Sequence, residues 1–204
     1  MITRKKIYDE VLYQYSGGIA QRGNKYTDDR ILTDHINQVR DTLAANILGA
    51  EYMKMQSINS LYIKQYENVP VLLNQSQNIK YSTLPVSVLK LPENVGVYQV
   101  SAMQERYSAF KSMKIAWQSM IGQDIGQYLL GKTGFIPFDK QVDFININPN
   151  VSEVLMFLVP KGADLSDDDE FCSPDLEFPI IQQVLALIMP NQKPEDKSNN
   201  LVSN

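Results

Sequence analysis

The chain has 204 residues, a formal net charge of −4 at pH 7 and a pI near 5.0. That length is enough for one sizeable domain, or one domain with a second lobe, without help from metals or disulfides. The acidic balance argues against broad nucleic-acid binding, which needs clustered Lys and Arg, and a single cysteine, Cys172, excludes an intramolecular disulfide and favours folding in the cytoplasm.

The first helix is predicted from about Arg4 to Tyr15, with Thr3 as its N-cap. Its first turn is basic, although the helix dipole disfavours cations there. We interpret these side chains as a solvated turn or as contacts to an acidic partner: Arg4, Lys5 and Lys6. A polar loop follows, and because exposed loops often carry partner contacts, Gln21 and Arg22 within it are further candidates.

The second helix, from about Asp28 to Lys54, has the strongest helical pattern in the chain. Its apolar residues recur at steps of three and four and should form one buried face: Leu32, Ile36, Val39, Leu43 and Ile47. Full burial of these side chains would contribute roughly 8 to 15 kcal/mol before chain entropy is subtracted. His35 lies beside this face without companion ligands, so we expect a packed or half-exposed histidine and no metal site. Residues 1–57 are therefore predicted to form a helical lobe.

Residues 58–162 are predicted to form a central antiparallel β-sandwich or barrel-like lobe, because the apolar period changes from 3.6 to 2. Strands are expected at Leu61–Tyr66, Ile79–Leu84, Val86–Leu91, Gly96–Ala102, Phe135–Phe138, Val142–Ile147 and Val154–Val159. The last is apolar throughout, which is typical of a strand buried on both faces. Between Phe110 and Leu130 the sequence fits a strand followed by a helical turn. Aromatic residues of this lobe are half-buried sheet surface or partner contacts: Tyr62, Tyr66 and Trp117.

The C-terminal part begins with the densest run of charge in the chain. We interpret residues 163–175 as a solvated acidic connector, because the glycine and distal glutamate of an EF-hand loop are missing. An amphipathic helix is predicted over residues 176–190 and should pack on the helical lobe. Residues 191–204 are too polar to pack alone and are predicted to be an extended tail that orders on a partner. Candidate contacts in this tail are Lys193, Asp196, Asn199 and Leu201.

No catalytic signature is visible in the sequence. There is no nucleophile elbow, dinucleotide fingerprint or HExxH pair. Gly126 to Thr133 reads GQYLLGKT and matches the P-loop pattern, but its bulky residues and the β-hairpin predicted after it argue against phosphate binding. The sequence therefore predicts a protein that is not an enzyme and has no cofactor or metal site.

We also expect neither a secretory signal nor a membrane-spanning segment. The basic N-terminus has no continuous apolar core after it. The longest purely apolar run, Val154 to Val159, is far shorter than the roughly 20 residues that a membrane helix needs.

Four stretches are distinctive as phrases: ITRKKIYDEVLYQYSGG at residues 2–18, YENVPVL at Tyr66–Leu72, LPENVGVYQVSAMQ at Leu91–Gln104 and QKPEDKSNN at residues 192–200. Together and in this order they resemble a family of virion structural proteins of crAss-like phages, podoviruses of gut Bacteroidales. A helical lobe, a β-rich lobe and an extended C-terminus are also similar to the head-tail connector, or adaptor, proteins that dock under the portal of short-tailed phages.

The resemblance implies a virion protein of the neck or tail that is assembled in the host cytoplasm and forms a ring, commonly of twelve copies, around the DNA channel. The implied partners are other copies of the chain, the portal protein, further tail or ring proteins, and passing genomic DNA without sequence-specific binding. Two other classes stay open: a peripheral tail module that binds a receptor or glycan, and a virion-associated hydrolase.

Overall fold

The computed structural model describes residues 2–17, 29–106, 108–113 and 132–189. Within these ranges the chain is α+β, as the sequence predicts, with three α-helices and eight strands. The strands form one sheet of three and one of five. Two N-terminal helices and one C-terminal helix enclose a core of their own beside the sheets.

Helix α1 spans Arg4–Tyr15, which confirms the predicted bounds. Thr3 is its N-cap, and the Thr3 side-chain oxygen accepts a hydrogen bond from the Lys6 amide at 3.2 Å. This bond satisfies one of the N–H groups that a helix leaves unpaired at its start. Ile7 and Val11, four residues apart, bury the inner face of the helix.

Helix α2 spans Asp29–Met55, within one residue of the prediction at each end. Its main buried row recurs every four residues: Leu32, Ile36, Arg40, Ala44 and Leu48. The predicted apolar face is wrong at its end, because Ile47 is 39% exposed. Residues spaced four apart turn about 40° around a helix at each step. The buried face therefore shifts along α2, and the later part of the helix packs against a different segment of the chain. An ideal Cβ on Gly49 would lie 3.3 Å from the Pro92 ring.

Helix α3 spans Pro174–Ile188 and packs on α1 and α2, close to the bounds predicted for the C-terminal helix. Pro174 occupies the first helical position, where its missing N–H removes no hydrogen bond. The helix buries one face: Leu176, Ile180, Ile181 and Val184. Phe171 and Cys172, just before it, complete the helical core together with residues of the sheet connections.

The three-stranded sheet is antiparallel with the order β1-β8-β4. Its strands are β1 at Lys64–Pro70, β4 at Val97–Ala102 and β8 at Glu153–Leu158. The central strand β8 is almost wholly buried, as expected for its apolar run. The edge strand β1 carries an irregularity between Tyr66 and Val69, where Asn68 has a φ of 54°.

The five-stranded sheet has the order β2-β3-β7-β6-β5. Its strands are β2 at Leu72–Asn74, β3 at Ile79–Thr83, β5 at Lys111–Ser112, β6 at Gly134–Pro137 and β7 at Gln141–Ile145. The β6–β7 hairpin is the one predicted from the sequence. The β5–β6 pair is parallel, which the antiparallel prediction did not include.

The two sheets share one apolar core and so form the predicted sandwich rather than a closed barrel. Val154, Met156 and Leu158 of β8 contribute from one sheet, and Phe135 and Phe144 contribute from the other. Alternation along β7 places Val142 and Phe144 in this core and Asp143 on the opposite face.

Two strand predictions need correction. Leu61–Tyr66 is right only in its second half, where Lys64 to Tyr66 belong to β1, and Val86–Leu91 is not a strand. The residues before β1 form a 3₁₀ turn at Ser60–Tyr62, in which Asn59 caps the Leu61 amide. The segment Val86–Leu91 has only an isolated bridge between Val88 and Pro160. Hydrogen bonds connect the backbone of Leu89 to that of Val159, and that of Val159 to that of Gly96. We call Val86–Leu91 the crossing segment, because it runs across the connections between the strands.

Candidate functional site

The predicted basic contacts of α1 lie beside α3 and the loop before it. Arg4 donates from Nε and Nη2 to Oδ1 of Asp167 at 3.0 and 2.6 Å. Lys6 Nζ pairs with Oε1 of Glu177 at 2.5 Å, and Lys5 is exposed. Two of the three basic side chains therefore hold α1 against its own chain.

Tyr62 is interior and not sheet surface, since only 3% of it is exposed. Its hydroxyl donates to Ser173 Oγ at 3.1 Å and accepts from the Ser173 amide at 3.0 Å, which occupies it within the chain. Tyr66 is half-buried on β1 and packs against the sandwich core. Burial raises the pKa of Tyr66, and the charges of Asp169 and Asp164 act in the same direction.

The other predicted contact residues lie outside the described ranges: Gln21, Arg22, Trp117, Lys193, Asp196, Asn199 and Leu201. Most of the GQYLLGKT stretch lies outside them too. Its described end, Lys132 and Thr133, leads directly into strand β6. A phosphate-binding loop instead needs a helix N-terminus at this point, where backbone N–H groups point at the ligand.

Arg40 is a structural residue that the sequence reasoning missed. It is 1% exposed, and its Nε donates to the Phe171 carbonyl at 3.0 Å while Nη1 donates to the Pro160 carbonyl at 3.0 Å. Nη1 also pairs with Asp41 Oδ1 at 2.8 Å. The available signal was its position four residues after Ile36, within the apolar row. Arg40 therefore joins α2 to the beginning and the end of the single connection between β8 and α3.

The acidic run is mostly exposed, as a solvated connector would be, but several of its carboxylates also bond to other parts of the fold. Asp164 Oδ2 accepts from the Ser87 amide at 3.0 Å, and Lys64 Nζ donates to Asp169 Oδ1 at 2.9 Å. Burial alone would raise the pKa of Asp169, but hydrogen bonds from Lys64 and from Ser166 outweigh it and lower the pKa. With the Arg4–Asp167 pair, these contacts join the run to α1, β1 and the crossing segment.

Helices α2 and α3 each have a set of exposed residues in which no side chain is charged. We define the uncharged face of α2 as five exposed residues at helical spacing: Gln38, Thr42, Asn46, Ala50 and Met53. The uncharged face of α3 consists of Phe178, Gln182, Gln183, Ala186 and Leu187, all exposed. Phe178 leaves 66% of its surface in water and Leu187 leaves 49%. From Phe178 to the end of α3 there is no charged side chain.

A cleft of about 870 Å³ lies between residues 87–97 and the β6–β7 turn. We call it the lysine cleft, because three lysines line it: Lys90, Lys140 and Lys161. Lys90 Nζ lies 3.4 Å from Asp139 Oδ1, and both side chains are largely exposed. Ammonium groups around such a cleft are suited to binding carboxylates or phosphates.

Asp143 also lines the lysine cleft and is mostly buried on β7. Its Oδ1 accepts a hydrogen bond from Gln141 Nε2 at 2.7 Å. Burial raises the pKa of Asp143, and the bond from Gln141 offsets part of that increase. Its cross-strand neighbours are Tyr81 and Ile136, so no cation lies directly opposite on either adjacent strand.

Within the described ranges, no three His, Cys, Asp or Glu side chains are grouped so that they could hold a metal ion. Burial raises the pKa of the Cys172 thiol to about 12, so it is not a thiolate at neutral pH. None of the helices described has both the length and the apolar character needed to cross a membrane. The sequence matches no protein-family model and no curated protein.

Proposed function

We propose that this chain is a structural virion protein that forms a head-tail connector ring beneath the portal of a short-tailed phage. The ring would join the capsid to the tail and line the DNA channel. The proposal begins from the resemblance of four stretches of the sequence to virion proteins of crAss-like phages. The observation that supports it most is the pair of uncharged faces on α2 and α3.

Protein interfaces are depleted of charge at their centres and enriched in aromatic residues and Met. The uncharged face of α2 extends from Gln38 to Met53, roughly 22 Å along the helix at the usual rise per residue. The uncharged face of α3 has Phe178 and Leu187 near its two ends. Both faces lack charge, and the face of α3 also exposes an aromatic and an aliphatic side chain, which supports a role in contacts between copies.

The internal hydrogen bonds and ion pairs of the chain also suit a structural subunit. Arg40 bonds to the carbonyls of Pro160 and Phe171, and the acidic run bonds to α1, β1 and the crossing segment. These contacts join the helical core to the sandwich at several separate points. A connector acts by shape and burial, so contacts that tie these parts of the chain together support that role.

The net charge of −4 would let DNA move through the ring without adhering, provided that acidic groups face the channel. A ring whose channel is lined by Lys and Arg would contradict this part of the proposal.

A cryo-EM reconstruction of intact particles tests the proposal. We expect a ring of this chain between portal and tail, with the uncharged faces buried between copies or against the portal. A peripheral position on the tail, with those faces exposed, would contradict the connector and favour the receptor- or glycan-binding module. Absence of the chain from purified particles would overturn both.

A further inference from the structure

Two of the three lysines of the lysine cleft form no ion pair with any described residue. Among the described residues, neither Lys140 nor Lys161 is within ion-pair distance of a carboxylate. Lys140 is exposed and Lys161 is partly exposed, so both ammonium groups are accessible to an incoming carboxylate. A hydrogen bond between an ammonium and a carboxylate is stronger than one between neutral groups.

The cleft is locally cationic on an acidic chain. Three lysines face two aspartates, and the Lys90–Asp139 pair is exposed and therefore weak. Asp143 is mostly buried and its Oδ1 accepts a hydrogen bond from Gln141, so this carboxylate already has a partner within the chain. Because charges are screened beyond about 8 Å at physiological ionic strength, a small ligand inside the cleft responds mainly to these local lysines.

The walls of the cleft are built on fixed backbone. The Lys161 amide donates to the Ser87 carbonyl at 2.9 Å, and the Leu84 amide donates to the Lys140 carbonyl at 2.9 Å. Gly96 lies so close to the next segment that an ideal Cβ on it would be 2.3 Å from the Leu89 carbonyl oxygen. A preformed site loses less entropy on binding than one that must order first.

We propose that the lysine cleft is a docking site for an acidic peptide segment of a partner protein. Its carboxylates would pair with Lys90, Lys140 and Lys161, and its apolar side chains would contact Val88 and Phe138. A volume of about 870 Å³ falls in the range in which proteins enclose drug-sized ligands, and a short peptide has similar bulk.

The lining favours a peptide over nucleic acid. All the cations that line the cleft are lysines. Arginine, which binds phosphate through two parallel hydrogen bonds, is not among the lining residues. Tight DNA binding requires many phosphate contacts, and a net charge of −4 repels a duplex. The proposal is independent of the connector ring, because the cleft is separate from the uncharged faces of α2 and α3.

The test measures binding of a fluorescein-labelled peptide of alternating Glu and Leu to the full chain by fluorescence anisotropy. We expect the triple variant Lys90→Glu, Lys140→Glu and Lys161→Glu to bind about tenfold more weakly or worse, roughly 1.4 kcal/mol. The matched control changes three exposed lysines outside the cleft: Lys5→Glu, Lys54→Glu and Lys132→Glu. Lys161→Gln alone provides a milder second variant, and circular dichroism checks that each variant is folded.

Binding by wild type and control, with loss in both cleft variants, supports the proposal. Equal weakening in the triple variant and the control would show that overall charge, and not the cleft, causes the loss of binding. That result would overturn the proposal. If duplex DNA competed as effectively as unlabelled peptide, the cleft would be assigned to phosphates instead. If free glutarate did so, it would be assigned to small dicarboxylates. No binding by the wild type at millimolar peptide would also reject it. None of these results bears on whether the chain forms a ring.

Discussion

Arg40 connects α2 to Pro160 and Phe171 from inside the helical core, and its guanidinium carbon lies 5.5 Å from the centre of the Tyr62 ring. Arg40→Met would leave both carbonyls without this donor and remove the ion pair of Asp41, which would keep only its hydrogen bond from the Gly162 amide. Breaking a buried charged network in this way costs about 3 to 5 kcal/mol, and we expect that loss in the free energy of unfolding. Urea denaturation followed by tryptophan fluorescence or circular dichroism measures it.

The control is Lys54→Met, on the exposed surface of the same helix, for which we expect a change within about 0.5 kcal/mol. If Arg40→Met cost no more than this control, the hydrogen bonds of Arg40 would not stabilise the joint between the cores.

The carboxylates of Asp143 and Asp169 should change the stability of the fold in opposite directions as pH changes. The pKa of Asp143 is raised above its ordinary value of 3.8, so the folded state favours its protonated form, and ionisation as pH rises destabilises the fold. The pKa of Asp169 is lowered below 3.8, so its stabilising effect is present above that value and is lost as pH falls through the folded-state pKa.

At pH 7 we therefore expect Asp143→Asn to be more stable than wild type and Asp169→Asn to be less stable. Both differences should vanish as pH falls below the pKa values concerned, where the wild-type carboxyls are protonated. Urea midpoints for the three proteins between pH 3 and 7 test the signs. Differences that stay constant with pH would show that packing, and not ionisation, causes them.

At the scale of elements, the outer surface of α3 is expected to form contacts between copies. Gln182→Asp with Gln183→Asp places two charges on the uncharged face of α3 without removing a buried side chain. We expect self-association to weaken about tenfold, because desolvating a charge at the centre of an interface is unfavourable. Mass photometry of the purified chain over a concentration series measures this.

The matched control is Gln75→Asp with Gln77→Asp, two exposed positions in the turn between β2 and β3. It makes the same chemical change at a distance from the helices and should leave association unchanged. Equal effects of the two pairs would indicate general charge repulsion and would remove the support that the α3 face gives to the ring.

At the scale of the whole molecule, the described part of the chain contains two apolar cores. The helices, including α3, enclose one of them, and the two sheets enclose the other. Residues 191–204 lie outside the described ranges. Deleting Asn191 to Asn204 should leave the thermal midpoint of the monomer nearly unchanged and weaken assembly. A large fall in the midpoint, measured by calorimetry under monomeric conditions, would show that this segment packs on its own fold.

Local signals in the sequence were enough to determine the helices and several strands. The Thr3 cap, the helical spacing of apolar residues and the continuous apolar run of β8 depend on neighbours within a few positions, and they predicted α1, α3 and β8 closely. The same reasoning failed at Val86–Leu91, because alternation alone does not show whether a partner strand is available along the whole segment.

The tertiary structure alone decided which distant residues meet. β1 pairs with β8 far along the chain, with Lys64 opposite Leu158 and Pro70 opposite Glu153, and Tyr62 is buried against Ser173. The acidic run bonds to α1 and β1, and Arg40 is satisfied by two carbonyls far along the chain. The lysine cleft likewise unites Lys90, Lys140 and Lys161 from three connections. Such contacts depend on the packing of whole sheets and helices, whereas periodicity and capping carry information only about a residue's immediate neighbours.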